Sequence, residues 1–436
     1  MRKEFLAMAV FAGMLAFTSC SNDDNLVTTG NETSEELKAG EGILEIGISN
    51  TGIGSRDARP VGSSAAANNV DKVKLVAYSS DDNGVTWKAD ASVKWKDGEA
   101  EKDLVLDWSA GPSGEGESTT NRFGKKSIKL TNLTADTSYK FVAYGYNGET
   151  DPYGSSDATK ASEFVTQTKL SGYAIEELFA GETATIKTDD NSKFTTTSNS
   201  VTLTREVAGI LAYFQNVPSH INGEKVETIK VCANKKSTGF TFPSAADNFF
   251  NGNTMESTED VLITFTMATI ATNYAAAGAT DTYTFADLST IGAKENATAS
   301  QNCPVADSYI APVGLKLAQN SIFGGRYIIP YGQHYDEQTL TVKMYGSDTT
   351  TPLRTLKVKT NQSMTDTATQ YTYDIRRNNF YSIGQKLYTG NTGGNPDPDK
   401  PDTPNPDTPV DLNKNTDITV IINDAWNVLH NMDVED

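Results

Sequence analysis

Apolar residues recur at every second position through much of this chain. Leu44, Ile46 and Ile48 alternate with polar or small neighbours. Val73, Leu75 and Ala77 oppose Lys72, Lys74 and Val76 in the same way. A period of two sends alternate side chains to opposite faces of a pleated strand, so each run predicts a β-strand with one buried face. Further short strands are predicted at 92–96, 102–108, 126–133 and 138–147. Turn residues punctuate them, as in a sandwich or barrel. A polar stretch ends near residue 198, and the pattern resumes at 201–217, 225–236, 260–270, 307–313, 325–332, 339–346 and 371–388. One helix is predicted near 173–181, where Ile175, Leu178 and Phe179 share a face at helical spacing. No fixed-period repeat is visible. The expected fold is mainly β: two tandem β-sandwich-like domains at 41–198 and 199–390 with few short helices, followed by an extended C-terminal arm.

The arm has two parts. A linker at 391–415 holds six of the 15 prolines between Pro396 and Pro409. Such a segment is extended, at about 3.1 Å per residue, and can project the chain beyond it by tens of ångströms. The last segment, at 416–436, is one more alternating run: Ile418, Val420 and Ile422, then Trp426 and Val428. A lone strand cannot satisfy its own backbone. It must join a sheet, either that of its own second domain or that of another molecule. Reaching another molecule is the better use of so long an arm.

The other end carries processing signals. Arg2 and Lys3 precede an apolar run from Phe5 to Phe17, then Thr18, Ser19 and Cys20. The run is too short to span a membrane and reads as a secretory signal over 1–19. Residues 20–40 are polar and acidic, a flexible tether. Between the first two predicted strands lies a Gly-, Ser- and Ala-rich loop bearing Arg56 and Arg59. Such a loop is expected to be exposed and open to an Arg-specific protease, which would release everything before the cut, the first strand included.

Composition narrows the function classes. A net charge of -19 repels phosphate backbones, so nucleic acid is not an expected partner. Of three cysteines, Cys20 belongs to the leader, and Cys232 and Cys303 read as buried thiols or one disulfide. Ser80, Asp82, Gly84, Thr86 and Trp87 fit the Asp-box pattern of a β-hairpin turn, present in a single copy and read as structural. His220, His334 and His430 stand in no metal-ligand spacing. No nucleophile elbow and no phosphate loop appears. The acidic pairs Asp81–Asp82 and Asp189–Asp190 lack the order of a calcium loop and read as solvated turns. No enzyme and no cofactor is indicated.

Taken in order along the chain, these pieces resemble the fimbrillins, subunits of the type V pilus of Bacteroidales. The matching features are a leader ending in Cys20, an early strand before an Arg-bearing loop, and the segments at 205–217, 376–388 and 418–426. The resemblance implies tandem transthyretin-like sandwiches and a precursor held at the outer membrane by a lipid on Cys20. It also implies cleavage after Arg56 or Arg59 by a trypsin-like protease. Pro60 comes directly after Arg59 and hinders that bond, which favours Arg56. Loss of the strand carrying Leu44, Ile46 and Ile48 would then open a groove. A neighbour's terminal strand, with Ile418, Val420, Ile422, Trp426 and Val428, would fill it. Implied partners are other copies, related anchor and tip subunits and the protease. The competing reading is a surface glycan-binding β-sandwich lipoprotein, which needs exposed aromatic platforms; Trp87, Trp95 and Trp108 are its candidates.

Overall fold

A computed structural model describes residues 37–48, 70–109, 124–146, 150–151, 178–196, 198–239, 254–275, 281–287, 303–307, 309, 317–330, 339–360, 375–384, 409–414 and 418–423. These residues are mainly β, with one four-residue helix among them.

The first half contributes β1 (Gly42–Ile48), β2 (Lys72–Ser80), β3 (Lys88–Ala89), β4 (Lys94–Asp97), β5 (Ala100–Lys102), β6 (Val105–Asp107), β7 (Gly124–Thr131), β8 (Ser138–Tyr146), β9 (Phe179–Glu182), β10 (Ile186–Lys187) and β11 (Ser200–Arg205). Their order is β3-β2-β8-β9-β11-β1-β7-β4-β5, with β6 on β2 and β10 on β8. β11 carries the sheet round a corner. Ser200 to Leu203 run parallel to β1, whereas Thr204 and Arg205 pair antiparallel with β9. The two leaves close on one core. Leu44, Ile46 and Ile48 of β1 share it with Val73, Leu75 and Ala77 of β2 and Phe141 and Ala143 of β8. The alternation read from the sequence is therefore the buried face of a sandwich.

The second half contributes β12 (Ala208–Gln215), β13 (His220–Ile221), β14 (Glu224–Lys225), β15 (Thr228–Ala233), β16 (Lys236–Gly239), β17 (Thr254–Glu256), β18 (Asp260–Thr266), α1 (Met267–Ile270), β19 (Ser321–Ile328), β20 (Leu340–Tyr345), β21 (Arg354–Thr360), β22 (Phe380–Ile383), β23 (Val410–Asp411) and β24 (Ile418–Asn423). The large sheet runs β18-β15-β20-β21-β24-β22-β12-β19, with β23 on β12.

The two halves repeat one connectivity. In each, the first strand pairs antiparallel with a later one (β1 with β7, β12 with β19) and parallel with the half's closing strand (β1 with β11, β12 with β22). The series β2-β8-β9 is matched by β15-β20-β21, antiparallel throughout. The halves differ at one point. β9 and β11 pair directly, but β24 stands between β21 and β22, parallel to the first and antiparallel to the second. β24 is an additional strand laid into a sandwich plan that the first half completes without one.

Two expectations are corrected by the structure. Ser200–Arg205 belongs to the first sheet, so the changeover falls at Glu206 and Val207 rather than at residue 198. Hydrophobic alternation cannot register that boundary, because β11 and β12 are nearly continuous in sequence. The helix near 173–181 gives way at its described end to strand: Phe179–Glu182 is β9, held by β8 and β11, while Ile175 lies outside the described residues. Pairing on both edges outweighs weak helical periodicity. The terminal strand lies within its own second sheet in this single chain. With no second copy present, its own second sheet offers the backbone partners that an apolar strand requires.

Both halves also turn a corner in the same way. The Tyr139 hydroxyl accepts the Thr134 N–H at 2.8 Å, and the Tyr381 hydroxyl accepts the Arg376 N–H at 2.8 Å. Each loop between passes through a left-handed residue, Asp136 at φ 50° and Asn378 at φ 54°. Removing either hydroxyl while keeping the ring isolates the loss of one hydrogen bond. Tyr139→Phe and Tyr381→Phe are each expected to lower stability by about 1 kcal/mol in urea unfolding. An unchanged midpoint for both would show the corners to be incidental.

Candidate functional site

The first strand runs through the middle of the first sheet. β1 pairs along its whole length with β7, and from Glu45 to Ile48 with β11. It is a central strand, and Leu44 and Ile46 are fully buried. At its start, Phe194 lies against Gly42 so closely that no side chain could stand there. Its outer face carries charge. Glu45 accepts an ion pair from Lys125 of β7 at 2.8 Å, and Glu41 one from Lys96 of β4 at 3.2 Å. Burial alone would raise the Glu41 carboxyl. The Lys38 N–H and the Lys96 ammonium outweigh it and hold the group below the usual range. Leu44, Ile46 and Ile48 are thus brought together as one core row. Arg56 and Arg59, between β1 and β2 in sequence, lie outside the described residues.

At the other end of the chain, β24 sits between β21 and β22. Val358 to Thr360 pair with Ile418 to Val420, and Phe380 to Ile383 with Asn423 to Val420. Ile418 is buried. Val420 and Ile422 are placed by their backbone pairing, while Trp426 and Val428 lie outside the described residues. Before β24 the chain has a second attachment. β23 runs parallel to the end of β12, Leu412 is fully buried, and its carbonyl accepts from Arg354 at 3.2 Å. This anchor was not anticipated from the sequence; Val410 and Leu412, apolar in an otherwise polar linker, were its only signal.

A buried ion pair joins the ends of the two sandwiches. Glu206, between β11 and β12, has a side chain fully removed from solvent, and its carboxylate meets the Arg377 guanidinium at 3.3 Å. Arg377 also donates to the Thr204 hydroxyl at 3.2 Å, and Arg205 donates to the Asn378 side chain at 2.9 Å. The Asn378 N–H returns to the Val207 carbonyl. This brace links the end of β11, the partner of β1, to the corner that leads into β22, the partner of β24. Nothing in the local pattern pointed to it, because its halves are more than 170 residues apart in sequence.

The remaining candidates are structural. In the Asp box, the Asp82 carboxylate accepts from the Ser80 hydroxyl and from the N–H groups of Val85 and Thr86. These donors hold its pKa well below the usual carboxylate range. Gly84 has φ 88°, and Trp87 packs beneath it. Cys232 and Cys303 are free thiols, both buried, and burial above all pushes Cys232 up to about 12. Trp87, Trp95 and Trp108 are buried at 9%, 7% and 0% exposure, so none offers a platform to a sugar ring. His220 is exposed, while His334, His430 and Cys20 lie outside the described residues. Among the described residues no cluster of side chains could hold a metal ion.

No family model matches the chain, and no curated protein does. Solved structures are similar to it at low identity. A candidate cell adhesion protein of Bacteroides eggerthii shares 12% identity at a TM-score of 0.36, over 90% of this chain and 97% of that one. A fimbrial assembly protein of Parabacteroides distasonis shares 12% at 0.32, over 80% and 92%. The fimbrial anchor protein Mfa2 of Porphyromonas gingivalis shares 10% at 0.29, over 70% and 77%. Likeness at this level assigns no residue a role.

Proposed function

We propose that this chain is a structural subunit of a cell-surface fimbrial stalk, which polymerises by strand replacement between copies and supports adhesion and colonisation. The observation that carries the reading is the pairing of two unusual strands. β1 is central and fully packed, yet its chain leads straight into the segment with Arg56 and Arg59. β24 is supernumerary, inserted where the first sandwich needs nothing, at the end of a proline-rich arm. One strand is placed to be lost at a cost the domain cannot absorb, and the other is placed to leave.

In this reading the precursor is an outer-membrane lipoprotein held through Cys20, and an Arg-specific protease cuts after Arg56 or Arg59. The freed groove between β7 and β11 presents unpaired backbone and apolar pockets, to which an extended segment adds as a strand. A head-to-tail contact of this kind does not close on itself and generates a filament. Anchor and tip subunits would end it. No cofactor enters the process. Burial of the three tryptophans removes the feature that would have favoured glycan binding.

The test is to treat the full-length chain with an arginine-specific endoprotease and sequence the new N-terminus. Cleavage in the 49–69 segment followed by ladders on unheated denaturing gels is the expected result. A fully cut chain that remains monomeric overturns the reading.

A further inference from the structure

The charges on the outer face of the first sandwich deepen the strand-replacement reading, and the role inferred for them rests on it. The solvent-facing side of β4, β7 and β1 carries Lys94 and Lys96, Lys125 and Lys129, and Glu45; Lys96 faces Lys129 across the β4–β7 ladder. Glu45 pairs with Lys125, and Glu41 with Lys96, with Lys129 adding its attraction to Glu41. Lys94 is held separately by Asp103 at 2.7 Å. Both glutamates belong to the segment that departs with β1. Its loss therefore does two things at once: it opens the apolar groove and strips Lys96, Lys125 and Lys129 of these carboxylates. A basic strip then borders the groove of a chain whose net charge is -19.

The same chain contains a match for that strip. Residues 391–417 hold Asp397, Asp399, Asp402, Asp407, Asp411 and Asp417 against Lys400 and Lys414, immediately ahead of Ile418. We propose that the lysine strip of Lys96, Lys125 and Lys129 is a docking surface for the Asp-rich arm of a second copy of this chain, formed when Glu41 and Glu45 leave. A strand lying in the groove brings its preceding arm out at one end or the other. Lys96 and Lys129 stand at the Gly42 end, and Lys125 at the Ile48 end, so either direction meets a lysine. Before cleavage Glu41 and Glu45 offset the charge of Lys96 and Lys125, so the arm meets a weaker positive field and the surface also separates cut from uncut partners. Opposite charges brought together from solution mainly raise the association rate, and salt removes the effect.

The test monitors ladder formation by full-length chain after arginine-specific cleavage, in about 10 mM and about 1 M salt, where screening lengths are about 30 Å and about 3 Å. The triple variant Lys96→Gln, Lys125→Gln, Lys129→Gln is expected to assemble about tenfold more slowly than wild type in low salt and at the wild-type rate in high salt. The arm variant Asp397→Asn, Asp399→Asn, Asp402→Asn, Asp407→Asn removes four of the arm's negative charges and should show the same loss. Wild-type ladders with unchanged rates in both variants would overturn the docking surface alone. Wild-type chain that is cut but gives no ladder at either salt would overturn strand replacement and this surface together.

Discussion

The chain truncated after Gly390 is expected to be cut by an arginine-specific protease as readily as the intact chain and then to stay monomeric. The expectation comes from the unequal positions of the two strands. Losing β1 takes away the row of Leu44, Ile46 and Ile48, each worth about 1.5–3 kcal/mol when fully buried, and bares the apolar pockets that the row filled. It also leaves β7 and β11 with unpaired groups on facing edges. These two cannot simply close up, because the core of both leaves has been packed around the missing row. Losing β24 is different. The first sandwich, with the same connectivity, joins β9 directly to β11 in antiparallel fashion, and β21 and β22 have the matching relative direction once β24 is gone. The second sandwich therefore has a closed arrangement available without its guest. If strand replacement operates as proposed, β24 would leave a sheet to whose core it contributes Ile418 alone of its described side chains, for a groove lined to receive three. The truncated chain should remain folded by circular dichroism and show no ladder. Ladders from the truncated form would sink the role assigned to β24, and a truncated form that is unfolded before cleavage would show that the second sandwich depends on its own terminal strand.

The alternating pattern made much of this fold legible. Leu44, Ile46 and Ile48 face the core as read, and the Asp82 turn has the geometry its spacing promised. Alternation reports one-sided burial and nothing about partners. It found the strands at β8 and β12 but not that both of their faces are buried: Phe141 and Ala143 face one core, Val142 and Tyr144 the other. It also cannot show the repeated connectivity, since the matched strands have unrelated side chains and unequal loops between them. Pairing β24 with β21 and β22, or Glu206 with Arg377, needs contacts across long stretches of chain that no local window contains. What sequence did mark well were the segments out of place for a simple tandem sandwich: the Arg-bearing loop, the proline arm and its terminal strand.

Replacing Glu206 by Ala is expected to destabilise the chain by about 3–5 kcal/mol, the usual result of removing one partner from a buried ion pair. The Glu206 side chain has no exposed surface and that of Arg377 is 10% exposed, so water cannot take the place of the lost carboxylate. The penalty is that of a buried guanidinium that has lost this carboxylate, and the pair itself contributes far less. A second variant separates the two. Glu206→Leu with Arg377→Met removes both charges and keeps apolar volume, and it should recover most of the loss. Urea unfolding of the full-length chain supplies the comparison. A Glu206→Ala midpoint close to wild type would mean that the brace is dispensable. A double variant as unstable as the single one would mean that an uncompensated guanidinium is not the source of the loss. The distinction bears on assembly, because the brace connects the strand beside β1 to the strand beside β24. In a fibre built by the proposed strand replacement, load would pass from one groove to the next through this junction, and a charge pair sealed from water is less weakened by salt than the surface pairs around β1.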